Sequence, residues 1–177
     1  MVARDLLGCA LVTRRRGVVT AGRIVETEAY LGPEDAASHA AFRPGSRRLF
    51  YGDGGFAYVY LIYGLHACLN AVAEPVGRPG CVLVRAVEPL AGVHAMARRR
   101  GVAPGAPRLA SGPGNVTSAF AITVADNGAD LTEGRLTIEA PAPLATVRVA
   151  RGPRVGITRA ADRALRFWIA GHPAVSR

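Results

Sequence analysis

Two glutamates and a tyrosine alternate within one short segment of the chain, GRIVETEAYLGPEDAASHA, which spans residues 22–40. If the first half of this segment is a strand, its two-residue period places Glu26, Glu28 and Tyr30 on one face, together with Ile24. A carboxylate in such a position can act as a general base when it is partly desolvated and aimed at a proton. The alternative is that both glutamates lie on the solvent face of an edge strand, and the segment by itself favours this second interpretation.

The charge of the chain points to a polyanionic partner. The sequence has 22 Lys and Arg residues against 13 Asp and Glu, a formal net charge of +9, and every one of these cations is an arginine. This balance makes nucleic acid the first candidate partner. Because the chain has no lysine, a Schiff base could form only on the N-terminal amine.

Length and cysteine usage indicate one domain in a reducing compartment. The chain of 177 residues is long enough for one core and too short to make two domains the default, so we predict a single domain over residues 1–177. Cys9, Cys68 and Cys81 are odd in number and far apart, which is typical of buried thiols. We therefore expect a cytoplasmic protein, associated with the nucleoid if the source is bacterial.

The sequence predicts neither a membrane-spanning segment nor a metal site. No apolar run approaches the roughly 20 residues that cross a bilayer. The LLGC stretch at residues 6–9 has too short a lead-in for a lipoprotein signal. The four histidines lack the spacing of metal ligands, so no metal site is expected.

The first third of the chain predicts a helix, a hairpin and a second helix. ARDLLGCALVTRRRGVVTAGRIVETEAY is typical of a short helix, a strand, an Arg/Gly turn and a second strand. A proline followed by acidic and small residues predicts a helix from Pro33 to Ala41, with His39 near its end. The stretch from Phe42 to Gly55 lacks periodicity and is predicted to be a surface loop, whose basic and aromatic residues suit a nucleic-acid contact.

A second hairpin is predicted in the middle of the chain. Its strands are Phe56–Ile62 and His66–Val72, joined by a tight turn at residues 63–65. Tyr63 at this tip fits the role of an aromatic wedge inserted between base steps. The alternative is a tyrosine folded back onto the core, and that arrangement is the commoner one.

Four side chains on the predicted strands need partners. Tyr58 and Tyr60 share one strand face, where they either stack on a base or fill the core, and the core is favoured. The Asn70 amide lies among apolar residues and must find hydrogen bonds from the backbone or from a ligand. Arg85 interrupts the buried strand CVLVRAVEPL, so we expect it to pair with one of the two glutamates or with a phosphate.

The second half of the chain predicts further helices and strands. GVHAMARRR is typical of a helix that ends in three arginines, where cations suit the helix dipole. SGPGN at residues 111–115 is a glycine turn that opens a helix; its N–H groups could bind an anion, although such turns are common without one. NGADL, RLTIEA, ATVRVA and RVGI predict turns and strands. The fold class is therefore α+β, in one mixed domain.

Six sequence blocks occur in an order that resembles one known family. They are ARDLLGCALV, RIVETEAYLGPEDAASHA, YVYLIYGLHACLN, VLVRAVEPL, SGPG and RFW followed by a spaced G, P and VS. Together they resemble the alkyladenine (3-methyladenine) DNA glycosylases, also called methylpurine glycosylases, over residues 3–176. The resemblance implies an α+β domain with a curved antiparallel sheet, flanking helices and a protruding β-hairpin, acting as a monomer without cofactor or metal.

The same resemblance implies a monofunctional enzyme of base excision repair. It would flip a damaged purine out of double-stranded DNA and hydrolyse its N-glycosidic bond, leaving an abasic site. The expected lesions are 3-methyladenine and 7-methylguanine, with hypoxanthine and ethenoadenine as further candidates. Two alternatives stay open: a protein that senses damaged or bent DNA without cleaving it, and a basic protein that binds RNA.

The resemblance also implies roles for seven residues. Glu28 would activate water, and Arg85 would help to hold that water and the phosphate of the flipped nucleotide. Tyr63 would be the intercalating wedge. The base pocket would be lined by Tyr30, His39, Tyr60 and Asn70, with the asparagine screening against the amino group of normal guanine.

Three departures from the family pattern affect the expected DNA contacts. The segment between His39 and Phe50 is shorter than usual and reads RPGSRRLF, whereas YGDGGFAY is one residue longer. Asn115 follows GPG, where the family commonly has lysine. A phosphate contact at this position is therefore expected to be weaker or lost.

Overall fold

The computed structural model of the protein describes residues 1–140 and 147–176. In these ranges the helices are short: α1 (Val2–Asp5), α2 (His39–Phe42), α3 (Arg47–Phe50), α4 (Val93–Arg100) and α5 (Pro113–Phe120). The strands are β1 (Ala10–Arg15), β2 (Val18–Tyr30), β3 (Ala57–Ile62), β4 (His66–Val72), β5 (Cys81–Ala91), β6 (Leu136–Glu139), β7 (Val149–Gly152) and β8 (Arg166–Ile169). None of the described helices is long and apolar enough to cross a bilayer.

The described strands form one curled antiparallel sheet, as the α+β prediction requires. Its order is β3-β4-β5-β2-β1-β6, and the short β8 joins β2 while β7 joins β8. Helices α4 and α5 pack together against this sheet, with Met96 and Phe120 fully buried in the core. The hairpin of β3 and β4 carries its turn away from the core. The predicted fold class is therefore confirmed.

The 13-residue strand β2 lies at the centre of the sheet. Strand β5 pairs along one of its edges, while β1 and then β8 pair along the other edge. The register with β5 shifts twice between Ile24 and Thr27, which leaves Val25 on β2 and Arg85 on β5 without a cross-strand partner. Both edges of β2 are paired, and Glu26 and Glu28 are completely buried, so the interpretation of an exposed edge strand is wrong.

Most of the predicted strands are confirmed, and two segments differ. The helix predicted from Pro33 to Ala41 is wrong, because α2 begins only at His39. The carboxylate of Asp35 accepts hydrogen bonds from the backbone N–H groups of Leu31 and Ala37, which closes a turn in place of a helical one.

The surface loop predicted from Phe42 to Gly55 is confirmed in its exposure, since most of its described side chains are exposed or half-buried, but it is not an irregular loop. This stretch contains a 3₁₀ turn at Pro44–Ser46 and helix α3, and the ring of Phe50 is buried against Tyr58. The RVGI stretch forms no strand, and part of ATVRVA lies outside the described residues. Cys9, Cys68 and Cys81 are buried free thiols, as predicted.

Substituting Gly92 tests how tightly α4 is joined to the sheet. Gly92 precedes α4 with φ +71°, and a Cβ there would overlap the carbonyl oxygen of Val19 and approach Thr20 Cγ2 at 2.7 Å. We expect Gly92→Ala to lower the free energy of unfolding by about 2–4 kcal/mol, as measured by urea denaturation.

Gly17→Ala is the matched control for this substitution. Gly17 has a similar φ of +75° with nothing within 4 Å of the added Cβ, so the loss should be about 1 kcal/mol from backbone strain alone. Equal losses in the two variants would contradict the steric explanation.

Candidate active site

The Glu28 carboxylate is fixed from three directions near the end of β2. Its Oε1 accepts the backbone N–H of Val155 at 2.8 Å, and its Oε2 accepts the hydroxyl of Tyr30 at 2.9 Å. Burial, followed by the charge of Glu28, raises the pKa of Tyr30, so its hydroxyl is protonated and donates. The Arg85 Nε lies 3.6 Å from Glu28 Oε1.

The Glu26 carboxylate binds donors from β8 and from Ser176, beside the Glu28 site. Its Oε1 accepts from Arg166 Nε at 2.6 Å and from the Ser176 hydroxyl at 3.0 Å, and its Oε2 accepts the Ser176 N–H at 2.7 Å. The Arg85 Nε approaches the same Oε1 at 3.2 Å. Glu26 therefore pairs with two arginines, and through Ser176 its carboxylate also anchors the last described residue of the chain.

Arg85 lies between the two carboxylates, at the irregularity in the β2–β5 pairing. The side chain is one-tenth exposed, and its Nε donates to the Ser176 hydroxyl at 2.9 Å. The prediction that Arg85 pairs with a glutamate is confirmed. Among the described residues no hydrogen bond is made by its two terminal nitrogens.

The four residues predicted to line a pocket surround one small cavity. Its volume is about 20 Å³, enough for roughly one water molecule. The lining residues are Tyr30, Ala37, His39, Phe50, Tyr58, Tyr60, Asn70 and Cys81. Sequence reasoning missed Ala37, Phe50 and Cys81, since the first two lie in segments whose local structure was predicted wrongly. Tyr58 is buried, as predicted.

Hydrogen bonds and ring contacts hold the cavity walls together. His39 Nδ1 and the Tyr58 hydroxyl are 2.8 Å apart, and the His39 ring centroid is 4.3 Å from that of Tyr60. Burial, followed by the charge of Arg43, lowers the pKa of His39 to about 4, so its imidazole is neutral at pH 7. The Asn70 amide donates to the Tyr58 carbonyl at 3.1 Å, which confirms that it finds a backbone partner.

Tyr63 stands apart from this cluster at the tip of the β3–β4 hairpin. It is 91% exposed and has φ +53°, so the interpretation of a ring folded back onto the core is wrong. Beside it, a cavity of about 290 Å³ is lined by His66 and the start of α5. There the Asn115 side chain donates to the Ser111 carbonyl at 2.7 Å and thereby closes the SGPGN turn.

A buried ion pair missed by sequence reasoning supports the Tyr30 side of the cavity. Arg154 donates to both oxygens of Asp35, at 2.6 and 2.8 Å, and to the Ala29 carbonyl at 3.0 Å. Its guanidinium also lies 4.6 Å from the Tyr30 ring centroid. No local sequence signal links these residues. In the described part of the chain, no group of His, Cys, Asp and Glu side chains could hold a metal ion.

Fold and site together define a class of enzyme. A buried carboxylate joined to the wall of an aromatic cavity, an exposed tyrosine on a hairpin and an arginine-rich surface suit an enzyme that acts on a base of nucleic acid. The sequence model of the family described as methylpurine-DNA glycosylase matches residues 1–173. The chain belongs to this family.

Curated relatives agree with this family assignment. The chain is 46% identical to a protein of Koribacter versatilis over 99% of the chain and 87% of the relative. It is 48% identical to a protein of Methanoculleus marisnigri over 99% of the chain and 92% of the relative. Both relatives are provisionally named 3-methyladenine DNA glycosylases.

The family assignment confirms the predicted enzyme class. The chain is a DNA glycosylase, a hydrolase of N-glycosyl bonds that acts on alkylated purines such as 3-methyladenine. Its partner is therefore DNA. This result favours the enzyme over a DNA sensor that does not cleave and over an RNA-binding protein.

Asp35→Asn tests the contribution of the buried ion pair. Burial would raise the pKa of Asp35, but hydrogen bonds from Arg154 and two backbone N–H groups hold it below the ordinary value. The stabilisation is therefore present above that ordinary value, near pH 4, and is lost as the pH falls through the lower folded-state pKa. At pH 7 we expect Asp35→Asn to lower the free energy of unfolding by about 3–5 kcal/mol.

Urea denaturation at several pH values measures this difference. The gap between parent and variant should shrink in acid, because the parent carboxyl then loses its charge as well. A gap that is the same at pH 7 and pH 2 would contradict this account of the pair.

Proposed function

We propose that the enzyme flips a damaged purine out of duplex DNA and hydrolyses its N-glycosidic bond with water activated by Glu28. The observation that carries this proposal is the hydrogen bond from Tyr30, which lines the aromatic cavity, to Glu28 Oε2. Glu26 is equally buried, but its contacts run to Arg166 and Ser176, away from the cavity lining. The contacts of the two glutamates therefore favour Glu28 over Glu26 as the base.

The chemistry requires only one carboxylate near the sugar. An alkylated purine is a good leaving group, so the paired carboxylates of sugar hydrolases are not needed. Each oxygen of Glu28 accepts one hydrogen bond, which leaves lone pairs for a water proton. Arg85 would help to hold that water and the phosphate of the flipped nucleotide through its terminal nitrogens. Direct hydrolysis also agrees with a chain that has no lysine.

The aromatic cavity would bind the flipped base after its walls part. A purine stacked between His39 and Tyr60 needs about 7 Å between the rings, twice an ordinary contact distance. The centroids are 4.3 Å apart, so the rings must separate by about 3 Å. The rings of Tyr30 and Tyr60 favour an electron-poor, alkylated base, and a neutral His39 does not repel a cationic one. Asn70 would screen against the amino group of guanine.

Tyr63 would take the space that the flipped nucleotide leaves in the duplex. Its exposure of 91% and its position at a hairpin tip suit insertion between bases, where stacking is worth about 1–3 kcal/mol. We propose that one copy of the chain suffices, since Glu28, Tyr30, His39, Tyr60, Asn70, Arg85 and Tyr63 all belong to it. Of the expected lesions, 3-methyladenine and 7-methylguanine are the first to test in single-lesion duplexes, followed by hypoxanthine and ethenoadenine.

Glu28→Gln is the direct test of the base. Glutamine keeps the size of the side chain but cannot take a proton from water. We expect single-turnover release of 3-methyladenine from a duplex to fall by about 10²–10⁴-fold, with lesion binding retained. Release at the parent rate would show that Glu28 is not the base.

Glu26→Gln is the matched control, measured at a temperature where it is folded. Because Glu26 anchors Arg166 and Ser176, this variant should lower the melting temperature and release the base within about tenfold of the parent rate. A loss as large as that of Glu28→Gln would assign the chemistry to the carboxylate pair instead of to Glu28.

Tyr63→Ala tests the wedge. Removing the ring should weaken binding to a lesion duplex by about tenfold or more, while binding to undamaged duplex, which depends on salt, changes little. Tyr63→Phe keeps the ring and should behave as the parent does. Equal losses on both duplexes, measured by fluorescence anisotropy, would mean that Tyr63 only supports the hairpin.

A further inference from the structure

A second basic feature lies away from the candidate active site, at the other end of β2. It is a cleft of about 670 Å³ between the β1–β2 turn, the end of α4 and the start of β6. Six arginines line it: Arg14, Arg15, Arg16, Arg98, Arg99 and Arg135. None of these residues contacts the aromatic cavity, so the cleft is a separate site.

Nearby carboxylates balance only part of this charge. Glu139 pairs with Arg14 at 2.9 Å, and Asp126 pairs with Arg15 and Arg135. Among the described residues, no carboxylate lies within 4 Å of Arg16, Arg98 or Arg99. The guanidinium groups of the cleft therefore outnumber the carboxylates that pair with them.

The arginines of the cleft repel one another electrostatically. Burial, followed by the charges of Arg98 and Arg15, lowers the pKa of Arg99. The C-terminal end of α4 offsets some of the repulsion, because helix ends of this kind attract cations. Arg16 lies in the β1–β2 turn, outside the described helices. An anion bound in the cleft would reduce the remaining repulsion between the arginines.

The cleft and the Tyr63 tip face the same end of the sheet. Strands β2 and β4 are both antiparallel to β5 and so run in the same direction. The turns that precede them, at residues 16–17 and 63–65, therefore lie at one end. Helix α5 connects the two places: Gly114 near its start lies against His66, and Ala121 just after its end lines the cleft. Strand and helix spacings place the cleft about 20 Å from the tip.

We propose that this cleft binds the backbone phosphates of the same DNA duplex, on one side of the lesion. The inference rests on the proposed function, because that function places Tyr63 in the duplex. Phosphates follow one another along a strand every 3.4 Å or so, and 20 Å thus corresponds to about six base pairs from the lesion. Arginine forks match phosphate oxygens, and a wide cleft with several of them suits a continuous backbone better than one small anion.

The test uses duplexes that carry one lesion and are closed by hairpin loops. The shortest has three base pairs on each side of the lesion, and the others are extended to twelve pairs on one side at a time. Arg16→Ala/Arg98→Ala removes two exposed arginines of the cleft. The control Arg4→Ala/Arg148→Ala removes the same charge from two exposed arginines outside it.

Fluorescence anisotropy at several salt concentrations should separate the variants. On one of the two extended duplexes, Arg16→Ala/Arg98→Ala should bind about tenfold more weakly than the parent, with a salt slope flatter by about two. On the shortest duplex it should bind as the parent does. Single-turnover base release at saturating enzyme should not change, since neither arginine belongs to the catalytic site.

Two results would overturn the inference: the same loss in the control variant, or an equal loss on the shortest duplex. Failure of the proposed function would look different, because Glu28→Gln would then release the base at the parent rate, or Tyr63→Ala would lose affinity equally for both duplexes. If the parent releases the base and Arg16→Ala/Arg98→Ala binds as the control does, only the inference about the cleft fails.

Discussion

The burial of two carboxylates on β2 is the constraint on which the rest of the structure depends. Glu26 and Glu28 are both fully buried two residues apart, and a buried charge without partners would cost several kcal/mol. Their partners come from distant parts of the chain, including Arg85 on β5, Val155, and Ser176 near the end. The last quarter of the chain must therefore close onto β2 before the site exists.

Because their partners differ, the two equally buried carboxylates have different roles. Glu26 binds Arg166 on β8 and both donors of Ser176, and it thus fixes the edge of the sheet. Glu28 receives a hydrogen bond from a cavity residue, so its position is tied to the place where the base would lie. Arg85 contacts both and couples them, because a shift of its guanidinium changes two ion pairs at once.

The sequence was most informative where structure follows from local pattern. The observed bounds lie within a residue or two of the predicted ones for the β3–β4 hairpin, strand β5 and helix α4, since alternation and turn residues determine them. The helix predicted from Pro33 failed because Asp35 is captured by Arg154, which lies 119 residues away. The link between Glu26 and Ser176 spans 150 residues. No single-sequence pattern carries such distances. Only the family blocks placed Tyr30, His39, Tyr60 and Asn70 around one pocket, and these four side chains do line one cavity.

The small volume of the aromatic cavity bears on how the enzyme could select its substrate. A space for one water between His39, Tyr60 and their neighbours cannot hold any purine, so every base faces the same free-energy cost of parting the rings. The bases differ in the free energy that they gain by stacking once the rings have parted. An electron-poor alkylated purine stacks more strongly on tyrosine rings than a normal base does, by about 1 kcal/mol or more when desolvated. The cost of opening the cavity would therefore weaken the binding of every base alike, and discrimination would come from this difference in stacking on the tyrosine rings, even where no hydrogen bond distinguishes the two bases.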